Sequence, residues 1–244
     1  MKNVGEFDKR NAEYDLKFNR DEIIKKIVSS SSPVIFDVGA HHGQSVTYLK
    51  GLFPQSKIFS FEPDPESFNI LSENTTNDIN TKVFNLAISD TVGKAKFYKN
   101  EISHTNSLYK VNLESNDSIS ISKKRESDTP CSYNFEVEVE MTTLDRFVHD
   151  NSIDNIDLLK IDVQGAEEKV LSGGGALQNT SNVIVEVSFY DYYEKNTSFM
   201  DVEKYLIPAG FKLFSILDIS RNPMNGRTDW AEVLYTRVKW KKKR

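Results

Sequence analysis

A short apolar run that ends in a glycine turn and opens onto a segment of helical period is the feature that most narrows the fold of this chain. Val34-Ile35-Phe36-Asp37-Val38 is rich in β-branched and aromatic side chains, Gly39 follows, and 43–53 carries Val46, Leu49 and Leu52 at helical spacing before Pro54. A run of this kind, with little polar alternation, is buried on both faces, as a strand inside a parallel sheet is. The unit then repeats: 57–62 reads as a second strand stopped by Pro63-Asp64-Pro65, 66–74 as a helix with Phe68, Ile70 and Leu71 on its apolar side, and 82–88 as a third strand. Such β-α-β-α-β alternation predicts a mostly parallel sheet with helices on both faces, a three-layer α/β sandwich of Rossmann-like type.

Ahead of this unit, Ile23, Ile24, Ile27 and Val28 fall at helical spacing and the serines at 29–32 with Pro33 stop them, so a helical lead is expected over 1–32 and the main domain over 33–244. The alternation breaks after the third strand. Segments 94–98 and 135–141 alternate like antiparallel strands, whereas 115–129 is crowded with Ser, Asn, Asp and Lys and has little to bury. The region of about 91–141 therefore reads as an inserted β-hairpin with a mobile polar loop, placed to lie over a site. Regular order resumes with a helix at 143–149, a strand at 157–163, a helix at 166–171 closed by Gly173, Gly174 and Gly175, a strand at 182–189, a helix about 202–206, and closing strands at 211–217 and 230–237.

Composition excludes several classes. The 244 residues are 38% hydrophobic and 27% charged, enough for one sizeable core, and the net charge of −5 offers no broad positive field for nucleic acid. The run Lys241-Lys242-Lys243-Arg244 is the exception and reads as a solvated tail. Cys131 is alone, so the chain has no internal disulfide, no thiolate zinc site and no CxxC pair. Residues 1–10 lack the apolar centre of a signal peptide, and no stretch reaches the ~18 apolar residues of a membrane span. These features together predict a soluble cytoplasmic protein.

Three constellations carry chemistry. Asp37-Val38-Gly39-Ala40-His41-His42-Gly43 lies between a buried strand and a helix, where glycines let the backbone approach a ligand and the helix start offers unpaired N–H groups. The spacing departs from the dinucleotide fingerprint, with His41 where its central glycine would be, although histidine is among the residue types that tolerate positive φ. Glu62 ends the second strand, 23 residues after Gly39, where an acidic group can accept hydrogen bonds from both hydroxyls of a ribose. Together the two point to an adenosine-type cofactor. The third is Leu158-Leu159-Lys160-Ile161-Asp162-Val163-Gln164-Gly165, in which a carboxylate interrupts an apolar strand near the edge where open α/β sheets bind ligands. Asp162 is either a site residue or a cap on the helix that follows, and Glu186, within Val183-Ile184-Val185-Glu186-Val187, raises the same question.

In the order and spacing of these motifs the chain resembles the FkbM family of methyltransferases. The likeness rests on Phe36-Asp37-Val38-Gly39-Ala40-His41-His42-Gly43, Phe59-Ser60-Phe61-Glu62-Pro63-Asp64-Pro65 and Leu158 to Glu167, together with Thr143-Leu144-Asp145, Val170-Leu171-Ser172-Gly173-Gly174 and Ile184-Val185-Glu186. The resemblance implies a class I methyltransferase fold, a seven-stranded sheet with one antiparallel strand, and methyl transfer from S-adenosylmethionine. It implies further that Gly39, Ala40, His41 and Gly43 cradle the methionine part with Asp37 orienting it, that Glu62 and Pro63 meet the ribose, that 85–89, with Ala87 and Ser89, lies beside the adenine, and that Asp162 faces the sulfonium and the acceptor. Hydroxyls of sugars in glycans, or of secondary metabolites, are the acceptors it suggests. This chain has His41 where the family usually has Asn, and Gln164 where it usually has Glu.

Transfer of a methyl group from a sulfonium is an in-line displacement, so the demand on the protein is to hold the acceptor oxygen behind the methyl carbon and exclude water. A hydroxyl acceptor gains from a base that takes its proton. The candidates are Asp162 first by position, then His104, within Ser103-His104-Thr105-Asn106-Ser107, and Glu186, with His41 and His42 behind them. The aromatic run Phe189-Tyr190-Asp191-Tyr192-Tyr193 is suited either to stacking on a sugar face or to ordinary packing. No dense metal-ligand motif is present, so no metal is assigned. Two other readings stay open at this point: an NAD(P)-dependent oxidoreductase on the same topology, and a binding module that keeps the cofactor pocket without turnover. Nothing in the sequence selects the acceptor or the oligomeric state.

Overall fold

The computed structural model describes residues 4–115, 135–223 and 225–237, so most of the polar stretch at 115–129, Cys131 and the basic run at 241–244 lie outside the described residues. Two helices come first, α1 (Val4–Lys17) and α2 (Arg20–Ile27), the second started by Asn19, whose side chain accepts from the Glu22 N–H at 2.9 Å. Then follow β1 (Val34–Val38), α3 (Gln44–Leu52), β2 (Lys57–Phe61), α4 (Pro65–Thr75) and β3 (Thr81–Phe84). α4 starts where the sequence pattern demands, with Asp64 as its cap and Pro65 in its first turn. Next come β4 (Ala87–Ser89), β5 (Gly93–Lys99), β6 (Phe135–Thr143), α5 (Leu144–Asp150), β7 (Leu158–Ile161) and α6 (Glu167–Ser172). The described chain closes with β8 (Asn182–Ser188), α7 (Phe199–Leu206), β9 (Lys212–Arg221) and β10 (Thr228–Thr236).

Seven strands form the main sheet in the order β3-β2-β1-β7-β8-β10-β9. β10 pairs antiparallel with both β8 and β9, and the other pairings are parallel, which is the arrangement expected. Burial on both faces follows from strand alternation. Phe36, Leu159, Val183, Val185, Val233 and Tyr235 pack on one face with side chains of α5, α6 and α7, while Ile35, Leu158, Ile184 and Leu234 pack on the other with α2, α3 and α4. Ile23, Ile24 and Ile27 of α2 are all buried in that second layer.

One expected element is corrected. The run at 82–88 is not a single strand, because Asn85 turns its side-chain amide onto the carbonyls of Glu62 and Pro63, both at 2.9 Å, and the chain leaves the main sheet there. β4 belongs instead to a three-stranded sheet, β4-β6-β5, in which β5 and β6 pair antiparallel as the hairpin reading of the insertion expects.

Candidate active site

The first turn is built by close approach. Gly39 has φ +87°, and a Cβ there would lie 1.8 Å from the Asp162 carbonyl oxygen, so only glycine allows β1 and β7 to end side by side. His41 stands at φ 49° and Gly43 at φ 91°, so a histidine does hold a left-handed position in this turn. The His41 N–H donates to Glu62 Oε2 and the Asp64 N–H to Glu62 Oε1, each at 2.8 Å. Glu62 is therefore clamped by both turns. Burial pushes its carboxyl up to about 7, although these two backbone donors pull the other way.

A cavity of about 460 Å³ opens beside it. Gly39, His41, Glu62 and Pro63 form one wall, Leu86, Ala87 and Ile88 with Phe97 an apolar wall, and Asp162, Gln164 and Glu186 the far end. A second cleft of about 590 Å³ adjoins it and shares Gly39, His41, His104, Asp162, Glu186 and Trp230 with the first. Arg20, Ser45, Tyr48, Lys160 and Glu232 are among the other residues of that cleft, and Ala40 lines it rather than the first cavity.

Of the residues singled out from the sequence, Gly39, His41, Glu62, Pro63, Ala87, His104, Asp162 and Glu186 all face the first cavity. Asp37, Gly43 and Ser89 line neither space. Asp37 is fully buried beneath the turn, where the Ser45 hydroxyl donates to Oδ2 at 2.5 Å and Lys160 Nζ lies 3.9 Å from Oδ1. Gly43 sits against Leu71, and the Ser89 hydroxyl donates to Asp90.

The far end is assembled by strand register. Asp37 and Lys160 are cross-strand partners, and so are Glu186 with Glu232 and Glu232 with Asp218. Lys160 Nζ reaches Asp162 Oδ2 at 3.1 Å, and the Gln164 amide donates to Asp162 Oδ1 at 2.9 Å. Burial alone would raise Asp162, but the Lys160 ammonium and the donors from Gln164 and Lys160 outweigh it and hold the carboxyl below its usual value. Glu186 goes the other way: burial first, then the charges of Asp162 and Glu167, push it up to about 9. Asp162 does not cap α6: Ala166 is the N-cap, with no side-chain cap bond, and the Glu168 N–H of the first turn donates to Thr197 Oγ1 at 2.9 Å.

The described part of the insertion roofs the cavity with Ile102, Ser103, His104, Thr105, Asn106 and Leu108. It is pinned at several points, by Lys99 on Asp64 at 2.9 Å, by the Ser107 hydroxyl on the Gln164 carbonyl at 2.7 Å, and by a 2.8 Å contact between Ser103 Oγ and His41 Nε2. His104 lies on the 3₁₀ turn Ser103–Thr105, edge-on to the His41 ring at 6.3 Å. Desolvation, with His42 and His104 nearby, lowers His41, so it is neutral around pH 7. Tyr190 and Tyr192 line the cavity, while Tyr193 is buried behind it.

Sequence reasoning missed Lys160, Arg20, Tyr48, Trp230 and Glu232. A lysine inside an apolar strand two residues before Asp162 was a usable signal, since both then share a face. Arg20 and Glu232, joined through two nitrogens at 2.9 Å, are 212 residues apart and carried none. Among the described residues no cluster of His, Cys, Asp and Glu is placed to hold a metal, and no helix is long and apolar enough to cross a membrane.

A parallel sheet with one antiparallel strand, a glycine turn after β1 and an acidic tip on β2 define a Rossmann-like methyltransferase fold. The profile of the FkbM methyltransferase domain matches residues 37–213, and the chain belongs to that family. It is 29% identical over 181 residues to the 2-O-methyltransferase NoeI of Sinorhizobium fredii, covering 73% of this chain and 72% of that protein. It is 25% identical over 177 residues to the hexuronic acid methyltransferase AglP of Haloferax volcanii, covering 71% and 64%. Among solved structures, an FkbM methyltransferase from Methylobacillus flagellatus KT superposes with a TM-score of 0.52 at 15% identity, covering 84% of this chain and 44% of that one, a likeness of fold. Membership of a methyltransferase family makes the chain an enzyme of that class and sets aside both the oxidoreductase and the silent binding module.

Proposed function

We propose that this protein is an S-adenosylmethionine-dependent O-methyltransferase whose acceptor is a hydroxyl on a sugar or a related metabolite. The observation that carries the reading is Glu62, a buried carboxylate clamped by two backbone N–H groups at the wall of a cavity of about 460 Å³. Its remaining lone pairs suit the two hydroxyls of a ribose, and Leu86, Ala87, Ile88 and Phe97 supply the apolar wall an adenine ring needs. Gly39, Ala40 and His41 then border the methionine part, with Asp37 acting from below through Ser45 and Lys160. The bound cofactor supplies an electrophilic methyl group on sulfur.

The chain's own task is to orient and deprotonate the acceptor. Asp162, held ionised by Lys160, would take the proton of the acceptor hydroxyl onto its carboxylate as that oxygen accepts the methyl group the cofactor would supply. Glu186 keeps its own proton around pH 7, so it serves as a hydrogen-bond donor to the acceptor rather than as its base. His104, facing both spaces from the roof, is the alternative proton acceptor. Tyr190 and Trp230 line the cavity, and their rings would suit contact with a sugar face. Among the relatives' names, that of a 2-O-methyltransferase supports an oxygen acceptor and that of a hexuronic acid methyltransferase supports a sugar-type substrate.

The test has two arms. Calorimetry with S-adenosylhomocysteine is expected to give one saturable site that Glu62→Ala weakens. Incubation with methyl-labelled S-adenosylmethionine and a panel of glycosides is then expected to label at least one of them. Absence of adenosyl binding by the folded protein would defeat the reading.

A further inference from the structure

Gln164 occupies a strained and heavily connected place. It stands at φ 56°, a left-handed conformation that asparagine and aspartate tolerate more readily than glutamine, and Gly165 follows at φ 94°. Its amide nitrogen donates to Asp162 Oδ1 at 2.9 Å and lies 3.3 Å from Glu186 Oε1. The amide oxygen accepts from the Tyr193 hydroxyl at 3.0 Å, and that hydroxyl also lies 2.9 Å from the Thr105 carbonyl in the inserted segment. The main-chain carbonyl of Gln164 accepts from Ser107 at 2.7 Å, a second tie to the same segment. The reverse amide orientation would point its oxygen at the Asp162 carboxylate, so the arrangement of charges dictates which way the group faces.

We propose that Gln164 is a positioning residue: it bridges Asp162 and Glu186 and ties their alignment to the seating of the inserted segment through Tyr193, Thr105 and Ser107. The inference rests on Asp162 being the proton acceptor. A glutamate at this place has the same reach but, when ionised, no donor to offer either carboxyl, so the amide lets two acidic groups share one end of the cavity. The other groups that act on the pair are Lys160 from β7, Glu167 from α6, Glu232 from β10 and His104 from the roof. In that setting the two carboxyls part company, Asp162 staying ionised and Glu186 retaining its proton near neutrality.

Carboxyl-carbon NMR titration of the unliganded protein tests this directly, with the two resonances assigned by Asp162→Asn and Glu186→Gln. Gln164→Met keeps the volume and removes both amide donors, and it is expected to raise the Asp162 pKa by about one unit, a tenfold change in its proton affinity. Gln164→Glu is expected to raise it further, by adding a like charge. Tyr193→Phe leaves the amide in place without its orienting hydroxyl and is expected to shift Asp162 the same way by a smaller amount. An unchanged Asp162 titration in folded Gln164→Met overturns the proposal; should that variant fail to fold, an unchanged titration in Tyr193→Phe does so. No cofactor enters these measurements, so failure of the methyltransferase reading would show separately, as absent adenosyl binding, and failure of Asp162 as the proton acceptor as full turnover in Asp162→Asn.

Discussion

Two carboxylates sit at neighbouring ends of one sheet, Glu62 after β2 and Asp162 after β7, and the protein holds them in opposite ways. Glu62 is held by the backbone N–H groups of His41 and Asp64, whereas Asp162 is held by the side chains of Lys160 and Gln164. Backbone donors fix position but bring no net charge, so burial wins and Glu62 titrates at about 7. A buried ammonium reverses the balance, and Asp162 stays below the ordinary carboxylate range. On the proposed function, one group would be a rigid acceptor for neutral hydroxyls and the other a lasting negative charge beside the reacting atoms.

The comparison is broken most severely at Asp162. Asp162→Asn keeps the shape and removes the charge, so turnover is expected to fall about 10²–10⁴-fold, with adenosyl affinity changed less than about threefold. Equal losses in rate and affinity would reduce Asp162 to a binding group and erase the contrast. Gly39→Ala attacks the seam between the two ends. Its Cβ would meet the Asp162 carbonyl at 1.8 Å and its φ of +87° is unfavourable for alanine, so a destabilisation of about 3 kcal/mol or more is expected in denaturant unfolding. A near-normal midpoint would mean that the two turns can separate. Glu62→Ala is milder and acts on one ligand, weakening S-adenosylhomocysteine by about 1.5–3 kcal/mol in calorimetry with the fold intact. Unchanged affinity would take Glu62 out of the pocket.

The same contrast explains what the sequence disclosed. The Glu62 end is written locally: Gly39, His41, Gly43 and Glu62 lie within 24 consecutive positions, and their strand–turn–helix setting follows from apolar period and glycine chemistry. The Asp162 end is written in register. That Lys160 faces Asp37, and that Glu186, Glu232 and Asp218 line up across β8, β10 and β9, depends on which strands pair and how they are shifted. A β-bulge that displaces β10 on β9 has no local signature, and neither does the 212-residue reach of Arg20 to Glu232. The division of 82–88 into β3 and β4 was hidden because its apolar content continues on both sides of Asn85, and only a tertiary contact, the amide of Asn85 on two carbonyls of the β2 turn, ends the first strand. Asp37 was legible as buried and near the turn, but its partnership with Ser45 and Lys160 beneath that turn was not.

The smallest effect is the most diagnostic, because its sign differs for stability and for binding. Glu62 has a folded pKa of about 7, above that of the unfolded chain, so its contribution to stability is full in acid and is lost as pH rises through about 7. Ribose hydroxyls donate best to the ionised form, so adenosyl affinity runs the other way. Protonation at about pH 6 would weaken S-adenosylhomocysteine up to about tenfold relative to about pH 8, roughly 1.4 kcal/mol. Glu62→Gln is expected to flatten this part of both profiles: the variant loses the tenfold span in calorimetry, and its melting temperature falls less than that of the wild type between about pH 6 and about pH 8. Asp162→Asn should leave the tenfold span in place, since Asp162 is already ionised throughout that range. If the span instead followed Asp162, the roles of the two strand tips would have to be exchanged.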